Sequence, residues 1–247
     1  MEDEFALFVD VMGVQRDLVE VNNSGASSGF TRCQEKLRSF RGDLERVVGS
    51  QLELLSMADP SVAEPSFVAE FSDSAYIVGK QLASVAIAGV SLMRSALRHE
   101  YPLRGGIGIG SFSHEQSGVR TIRGGQVWTT NSFFGGAVVR AYQAERCSVP
   151  GLRIFIHPLV MQNNAEPSLQ TYATPLLEEG SPEGVSHELR IWRSEEVAPA
   201  LSRLQAFRGK ENPPGRALRH YDATVAAYTH FATIVEELPG VLPAIWL

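Results

Sequence analysis

The sequence predicts an α+β fold in which helices interleave with a mixed β-sheet in a split-βαβ arrangement. Three observations predict it: strand-like and helix-period runs alternate along the chain, a short hairpin lies between two long amphipathic helices, and a glycine-rich strand follows the second helix.

The first element is the strand in "FALFVDVMG", residues 5 to 13, an apolar run that ends in Asp10. "NNSGASSGF" at 22 to 30 reads as a mobile loop from its Gly, Ser and Asn content. It leads into a helix from Thr31 to about Met57, where Leu37, Phe40, Leu44, Val47 and Val48 recur at helical spacing. "PSFVAEFSDSAYIVG" reads as two short strands joined by a polar turn, with Asp73 at the tip. The run from Lys80 to Tyr101 is a second helix with an apolar stripe through Leu82, Val85, Ala86, Val90, Met93 and Leu97, stopped by Pro102.

"LRGGIGIGSF" is a glycine-rich strand, whose alternating glycines let a neighbouring element pack closely, and "GGQVWTTNS" is another strand. "FFGGAVVRAYQAERC" opens on glycines and continues as a helix with Ala137, Val138, Ala141 and Ala144 on one face. "LRIFIHPLV" is a short strand running into a helix start, "HELRIWR" a later strand, and the tail from Ala198 is mostly helical with a break at "KENPPGR". We expect one domain over 1–247, with a core at about 5–160 and added strands and helices over 165–247. Whether those additions pack on the core or on a dimer partner is left open by periodicity.

The chain has 247 residues, 44% of them hydrophobic, and a formal net charge of -6, which argues against broad binding to nucleic acid or an anionic membrane. No apolar run reaches the roughly 20 residues needed to span a bilayer, and the acidic start "MEDEFALFVD" is unlike a signal peptide. The two cysteines, Cys33 and Cys147, lack metal-ligand spacing and read as free thiols in a reducing cytoplasm.

Two residues carry the chemical question. Asp10 ends a buried strand and Asp73 tips the hairpin beside it, so both carboxylates can share one polar notch. Unneutralised, they repel. A pair of Mg²⁺ or Mn²⁺ ions about 4 Å apart would relieve that repulsion and could clamp an attacking and a leaving oxygen. The structural alternative is that Asp10 caps a turn and Asp73 is an ordinary acidic turn residue. The backbone of Val11, Met12, Gly13 and Val14 could turn amides toward phosphate oxygens as a shallow nest. Arg104 is a candidate phosphate clamp or a surface residue. Arg140, in an otherwise apolar helix, is either functional or snorkelling. His99, His157 and His187 lack metal spacing and read as structural or surface residues. No nucleophile elbow, zinc motif or dinucleotide fingerprint is present.

In order, "LFVDVMGV", "EFSDSAYIV", "LRGGIGIG" and "FFGGAVVRAYQAE" resemble the metal strand, hairpin, arginine strand and helix of the class III nucleotide cyclase catalytic domain. The resemblance implies a ferredoxin-like sandwich with a C-terminal helical extension. It also implies two Mn²⁺ or Mg²⁺ ions per site on Asp10, Asp73 and the Val11 carbonyl, and Arg104 on the triphosphate. A head-to-tail homodimer would form each site, where the ribose 3′ hydroxyl attacks the α-phosphate to give a 3′,5′-cyclic nucleotide and pyrophosphate.

The family's purine-reading lysine and aspartate fall on Ala69 and Ser132, and its transition-state asparagine and arginine on Val139 and Gln143. This pattern fits either a catalytically silent nucleotide-binding module or altered base choice. "FSDSAYI", "LRGG" and "GGAVVRAYQAE" are most similar to the bacterial pyrimidine cyclases of Pycsar anti-phage systems. That implies UTP, or less favoured CTP, as substrate and a cyclic-nucleotide-gated effector, with Arg140 replacing the lost positive charge and Ser132 and Gln143 facing the substrate. A purine cyclase and a palm-type polymerase relative are the other enzyme readings.

Overall fold

Strand β1 (Glu4–Val11) is the organising element, because its two faces enter two different cores. Phe5, Leu7, Val9 and Val11 are buried in the main core, while Ala6 and Phe8 belong to a second apolar cluster on the opposite face. Side chains alternate along a strand, so Asp10 lies on the face of Ala6 and Phe8. The computed structural model describes residues 2–14, 27–51, 65–121, 127–163, 173–177, 183–192, 194–211 and 215–234. Most of the expected loop at 22 to 30, the helix beyond residue 51 and the final "LPAIWL" lie outside the described residues.

Helix α1 (Ser27–Arg46) runs into a π-helical turn at Val47–Gln51 and buries Phe40, Leu44 and Val47. The hairpin follows as β2 (Phe67–Glu70) and β3 (Ser74–Gly79). Helix α2 (Leu82–Arg98) was expected to show one apolar stripe but is buried nearly all round, with Arg94, Leu97 and Arg98 as its less buried positions. It packs on β1, β3 and β4 (Leu103–Gly110) from one side and meets α1 and a C-terminal helix on the others.

The main sheet has seven strands in the order β2-β3-β1-β4-β7-β9-β8, with β7 at Ile154–Ile156, β8 at Ala173–Pro175 and β9 at His187–Leu189. In its first four strands every neighbour is antiparallel, α1 connects β1 to β2 across β3, and α2 connects β3 to β4 across β1. That is the ferredoxin-like split-βαβ topology expected. β7 adds parallel to β4, which makes the sheet mixed.

A separate two-stranded sheet pairs β5 (Ser113–Thr121) with β6 (Val127–Phe134). Helix α3 (Gly136–Glu145) then lies along β4, and the glycines of β4 permit this close approach. A Cβ on Gly106 would fall 2.1 Å from the Ala141 carbonyl oxygen, and one on Gly108 would fall 2.4 Å from the Ala141 nitrogen. The reading of these glycines as packing devices is therefore met.

A short α4 (Pro158–Met161) is capped by His157, whose ring accepts from the Leu159 N–H at 3.2 Å. Helices α5 (Ser194–Glu211) and α6 (Gly215–Ile234) pack together with Leu152 in a cluster that buries Val197, Leu204, Phe207, Tyr221 and Tyr228. Met12 and Leu97 pack against this cluster, so the C-terminal helices cover the core of their own chain. His99 binds Asp43 at 2.7 Å and His187 lies against Ser186 at 2.9 Å, in the structural roles expected. Cys33 and Cys147 are buried free thiols. Among the described residues no helix is long and apolar enough to cross a membrane.

Candidate functional site

The site is built at one end of β1. Asp10 stands opposite Ser74 of β3 and opposite Arg104 of β4, and the hairpin turn folds over it so that the Val11 N–H donates to the Asp73 carbonyl at 2.7 Å. The two aspartates are thus brought together by the hairpin.

Helix α3 delivers a third acid that the sequence reading did not assign. Its backbone contact with Gly106 places Glu145 at the same sheet end, with its nitrogen 2.5 Å from where a Gly106 Cβ would be. Glu145 is 5% exposed and pairs with Arg104 Nε and Arg146 Nε, each at 3.2 Å. Its Oε2 is buried with no hydrogen bond among the described residues. A signal was available: Val138, Ala141 and Glu145 share one helix face, and an acid on a buried stripe calls for an explanation.

The electrostatics follow from this crowding. Burial first, then the Glu145 and Asp73 carboxylates, push the Asp10 carboxyl up to about 6, against the pull of Arg146 and Arg104. Glu145 is itself pushed up by burial, against the pull of Arg104 and Arg146. Tyr76 and Tyr142 flank the edge, with the Phe8 ring 4.7 Å from Tyr76 and 5.5 Å from Tyr142.

Arg104 requires a correction. It is not a phosphate clamp in this structure: only 4% exposed, it donates Nε to the Glu145 carbonyl at 2.8 Å, and it donates NH1 to the Val149 and Gly151 carbonyls at 2.9 and 3.0 Å. NH2 reaches the Cys147 carbonyl at 2.9 Å and its sulfur at 3.6 Å, and the guanidinium lies 4.4 Å from the Phe155 ring centre. A guanidinium has five N–H donors, and all five are engaged.

The backbone nest also needs correcting. The Val11 and Met12 N–H groups are consumed by the carbonyls of Asp73 and Pro102, so they cannot face phosphate. Gly13 does adopt a left-handed φ of 84°, which only glycine takes easily, and Val14 is buried. Only Gly13 and Val14 remain as amide candidates.

The other expected substrate residues lie elsewhere. Arg140 donates NH1 to the Ile109 carbonyl at 2.6 Å and lies against Gly110, which the register places opposite Glu4. Gly110 lies six residue steps along the strand from Arg104, roughly 20 Å. Ser132, on β6, pairs with Glu115, and Gln143 points outward from α3. Arg140 thus lies at the other end of β4 from Asp10.

The donor chemistry of Asp10, Asp73 and a main-chain carbonyl suits a hard divalent cation, and a cation would relieve the crowding that lifts the Asp10 acid. Among the described residues no group of three His, Cys, Asp or Glu side chains is assembled to hold a metal, so Asp10, Asp73 and the Val11 carbonyl would need further donors to complete a cation's shell.

Fold and site together define a ferredoxin-like α+β protein with an acidic notch at one sheet end. No protein-family model and no curated protein matches the chain. Solved structures to which it is similar include the guanylate cyclase domain of RhGC from Catenaria anguillulae in complex with GTP, at 13% identity and a TM-score of 0.45, covering 76% of this chain and 94% of that one. Guanylyl cyclase Cya2 is similar at 13% identity and 0.41, over 76% and 91%. The dimeric guanylyl cyclase domain of the RhoGC fusion protein from Blastocladiella emersonii is similar at 13% and 0.37, over 76% and 94%. Each likeness is distant, and residue roles here come from this chain's own geometry.

Proposed function

We propose that this chain is a metal-dependent nucleotide cyclase that converts UTP, and less readily CTP, to the 3′,5′-cyclic monophosphate and pyrophosphate. The observation that carries the reading is the junction of Asp10 and Asp73 at the end of a split-βαβ sheet, with the Asp10 acid held up by burial and by neighbouring carboxylates. Asp10, Asp73 and the Val11 carbonyl would hold the Mn²⁺ or Mg²⁺ ions. Bound there, the ions supply charge neutralisation at the triphosphate and activation of the 3′ hydroxyl.

The chain's own residues orient the reaction. The 3′ hydroxyl gives its proton to solvent as its oxygen bonds to the α-phosphorus, the bond from that phosphorus to the β-phosphate bridge breaks, and the pair of electrons leaves with pyrophosphate. Gly13 and Val14 would offer backbone N–H groups to the phosphates. A head-to-tail second copy would bring its Ser132, Arg140 and Gln143 to the base and ribose, a reading supported by the place of Arg140 at the other end of β4 from Asp10. The pyrimidine preference, the anti-phage role and a cyclic-nucleotide-gated effector rest on the sequence resemblance.

The test incubates the purified chain with each of the four ribonucleoside triphosphates and Mn²⁺ and identifies products by mass. Cyclic UMP as main product is expected; no cyclic product from any triphosphate would defeat the reading. Preference for ATP or GTP would make it a purine cyclase.

A second reading, a catalytically silent nucleotide-binding module, is favoured by one observation: Arg104 has no donor left for phosphate. Triphosphate bound but unchanged after long incubation would select it.

A further inference from the structure

The segment from Glu145 to Arg153 is held by Arg104 and by helix α6, besides bonds from the Ser148 N–H and hydroxyl to Glu183 Oε2 at 3.3 and 3.2 Å and from Arg153 NH2 to the Pro150 carbonyl at 2.6 Å. From inside, Arg104 gathers the carbonyls of Glu145, Cys147, Val149 and Gly151, every second residue of the loop. From outside, helix α6 takes the next two amides. The Gly151 N–H donates to His220 Nδ1 at 3.1 Å and the Leu152 N–H donates to the Thr224 hydroxyl oxygen at 2.7 Å. The Thr224 hydroxyl in turn donates to the His220 carbonyl at 2.7 Å, so the pair acts as one clamp. Thr224 is 1% exposed, and the buried Leu152 side chain packs in the cluster that also holds Tyr221 and Tyr228 of α6.

The two grips meet at the acidic notch. The loop begins where α3 ends, at Glu145, which is paired with Arg104 and is the charged group acting most strongly on Asp10. Losing the outer grip removes the two bonds that tie Gly151 and Leu152 to α6 and leaves the carbonyls around Arg104 less firmly fixed, and with them the seat of Glu145.

We propose that α6, through Thr224 and His220, latches the loop Cys147–Leu152 around Arg104 and thereby positions Glu145 beside Asp10, making the C-terminal helical pair a regulatory handle on the acidic notch. Thr224 and His220 are positioning residues in this scheme. Any partner that draws α6 away opens the loop. The effect on turnover rests on the cyclase reading; the latch itself is read from a thiol.

Cys147 reports the loop, because it is 5% exposed beneath Arg104, and Cys33, 3% exposed on α1, reports the rest of the fold. In the full chain, alkylation rates of both thiols are measured by peptide mass mapping for wild type, Thr224→Val, Thr224→Ser and His220→Leu, alongside kcat and KM. Thr224→Val removes the acceptor for Leu152 with little change in volume, and His220→Leu removes the acceptor for Gly151 if the first variant fails to fold. Losing one buried hydrogen bond should raise local opening about tenfold. The expected result is a Cys147 rate up about tenfold with Cys33 unchanged, return toward wild type in Thr224→Ser, and a fall in kcat that exceeds any change in KM. Unchanged Cys147 labelling, or both thiols rising together, overturns the latch. Faster Cys147 labelling with unaltered kcat overturns its coupling to the notch. A wild-type chain that makes no cyclic product defeats the cyclase reading, while the thiol rates still decide the latch.

Discussion

Glu145 is the charged group that most strongly raises the acid strength threshold of Asp10, ahead of Asp73. The relationship is made by backbone packing, since α3 can lie on β4 only because Gly106 and Gly108 have no side chains. An ionised Asp10 is therefore a cost to the folded chain when no cation is bound.

That cost gives a prediction with a definite sign. The folded Asp10 carboxyl is raised from 3.8 to about 6, so its stabilising contribution is present below 3.8 and is lost as pH rises through about 6. Asp10→Asn should stabilise the metal-free chain by about 1–2 kcal/mol at pH 8, a value reduced for partial exposure, and by almost nothing at pH 4. Urea titrations at the two pH values read this. The same variant should lose both turnover and any rise in melting temperature with Mn²⁺. A variant destabilised at pH 8 would mean that Asp10 is not crowded by its neighbours.

Close packing gives a second prediction. Gly106→Ala would put a Cβ 2.1 Å from a backbone oxygen, and backbone cannot step aside, so α3 must shift. A loss of about 3 kcal/mol or more is expected by denaturant titration. Gly42→Ala, in the middle of α1 with nothing within 4 Å of its new Cβ, should instead gain about 0.5–1 kcal/mol from helix propensity. Equal effects at the two sites would contradict the account of β4.

Much of this was legible in the sequence. Period-two and period-3.6 patterns located β1, the hairpin and both long helices, and the spacing of glycines in "LRGGIGIG" announced a close neighbour. The strand β5 was missed because "SHEQSGVRT" is polar and pairs only with β6, so no core face imprints alternation on it. β8, three residues ending in a proline, carries too little pattern to register. At the notch, Asp10 and Asp73 could be read because a carboxylate at the end of an apolar strand is costly. The inward turn of Arg104 could not, since the carbonyls that hold it come from a loop more than forty positions away, as the separation of 41 to Glu145 illustrates.

Arg104 offers a third prediction that separates a structural role from a phosphate-binding one. Arg104→Lys keeps the charge but cannot serve the fork of carbonyls at Cys147, Val149 and Gly151. It also leaves Glu145 short of a buried partner. The expected loss is about 3–5 kcal/mol in the absence of any nucleotide, read by chemical denaturation. A variant of wild-type stability that only weakens triphosphate binding would restore Arg104 to the substrate.

His220 supplies the fourth prediction, at acid pH. Burial first, then the Arg104, Arg219 and Arg153 charges, push its imidazole from 6.5 down to about 4. That bond requires an unprotonated Nδ1, so protonation breaks the contact as well as burying a charge. For a lowered value the stabilising contribution is present above 6.5 and is lost as pH falls through about 4. Thermal melts from pH 7 to pH 4 should therefore show stability falling in wild type, and the fall should be shallower in His220→Gln, whose side-chain carbonyl can still accept from Gly151 without titrating. If the two profiles stay parallel over that window, His220 remains protonatable in the folded chain and its contact with the loop is weaker than the geometry indicates.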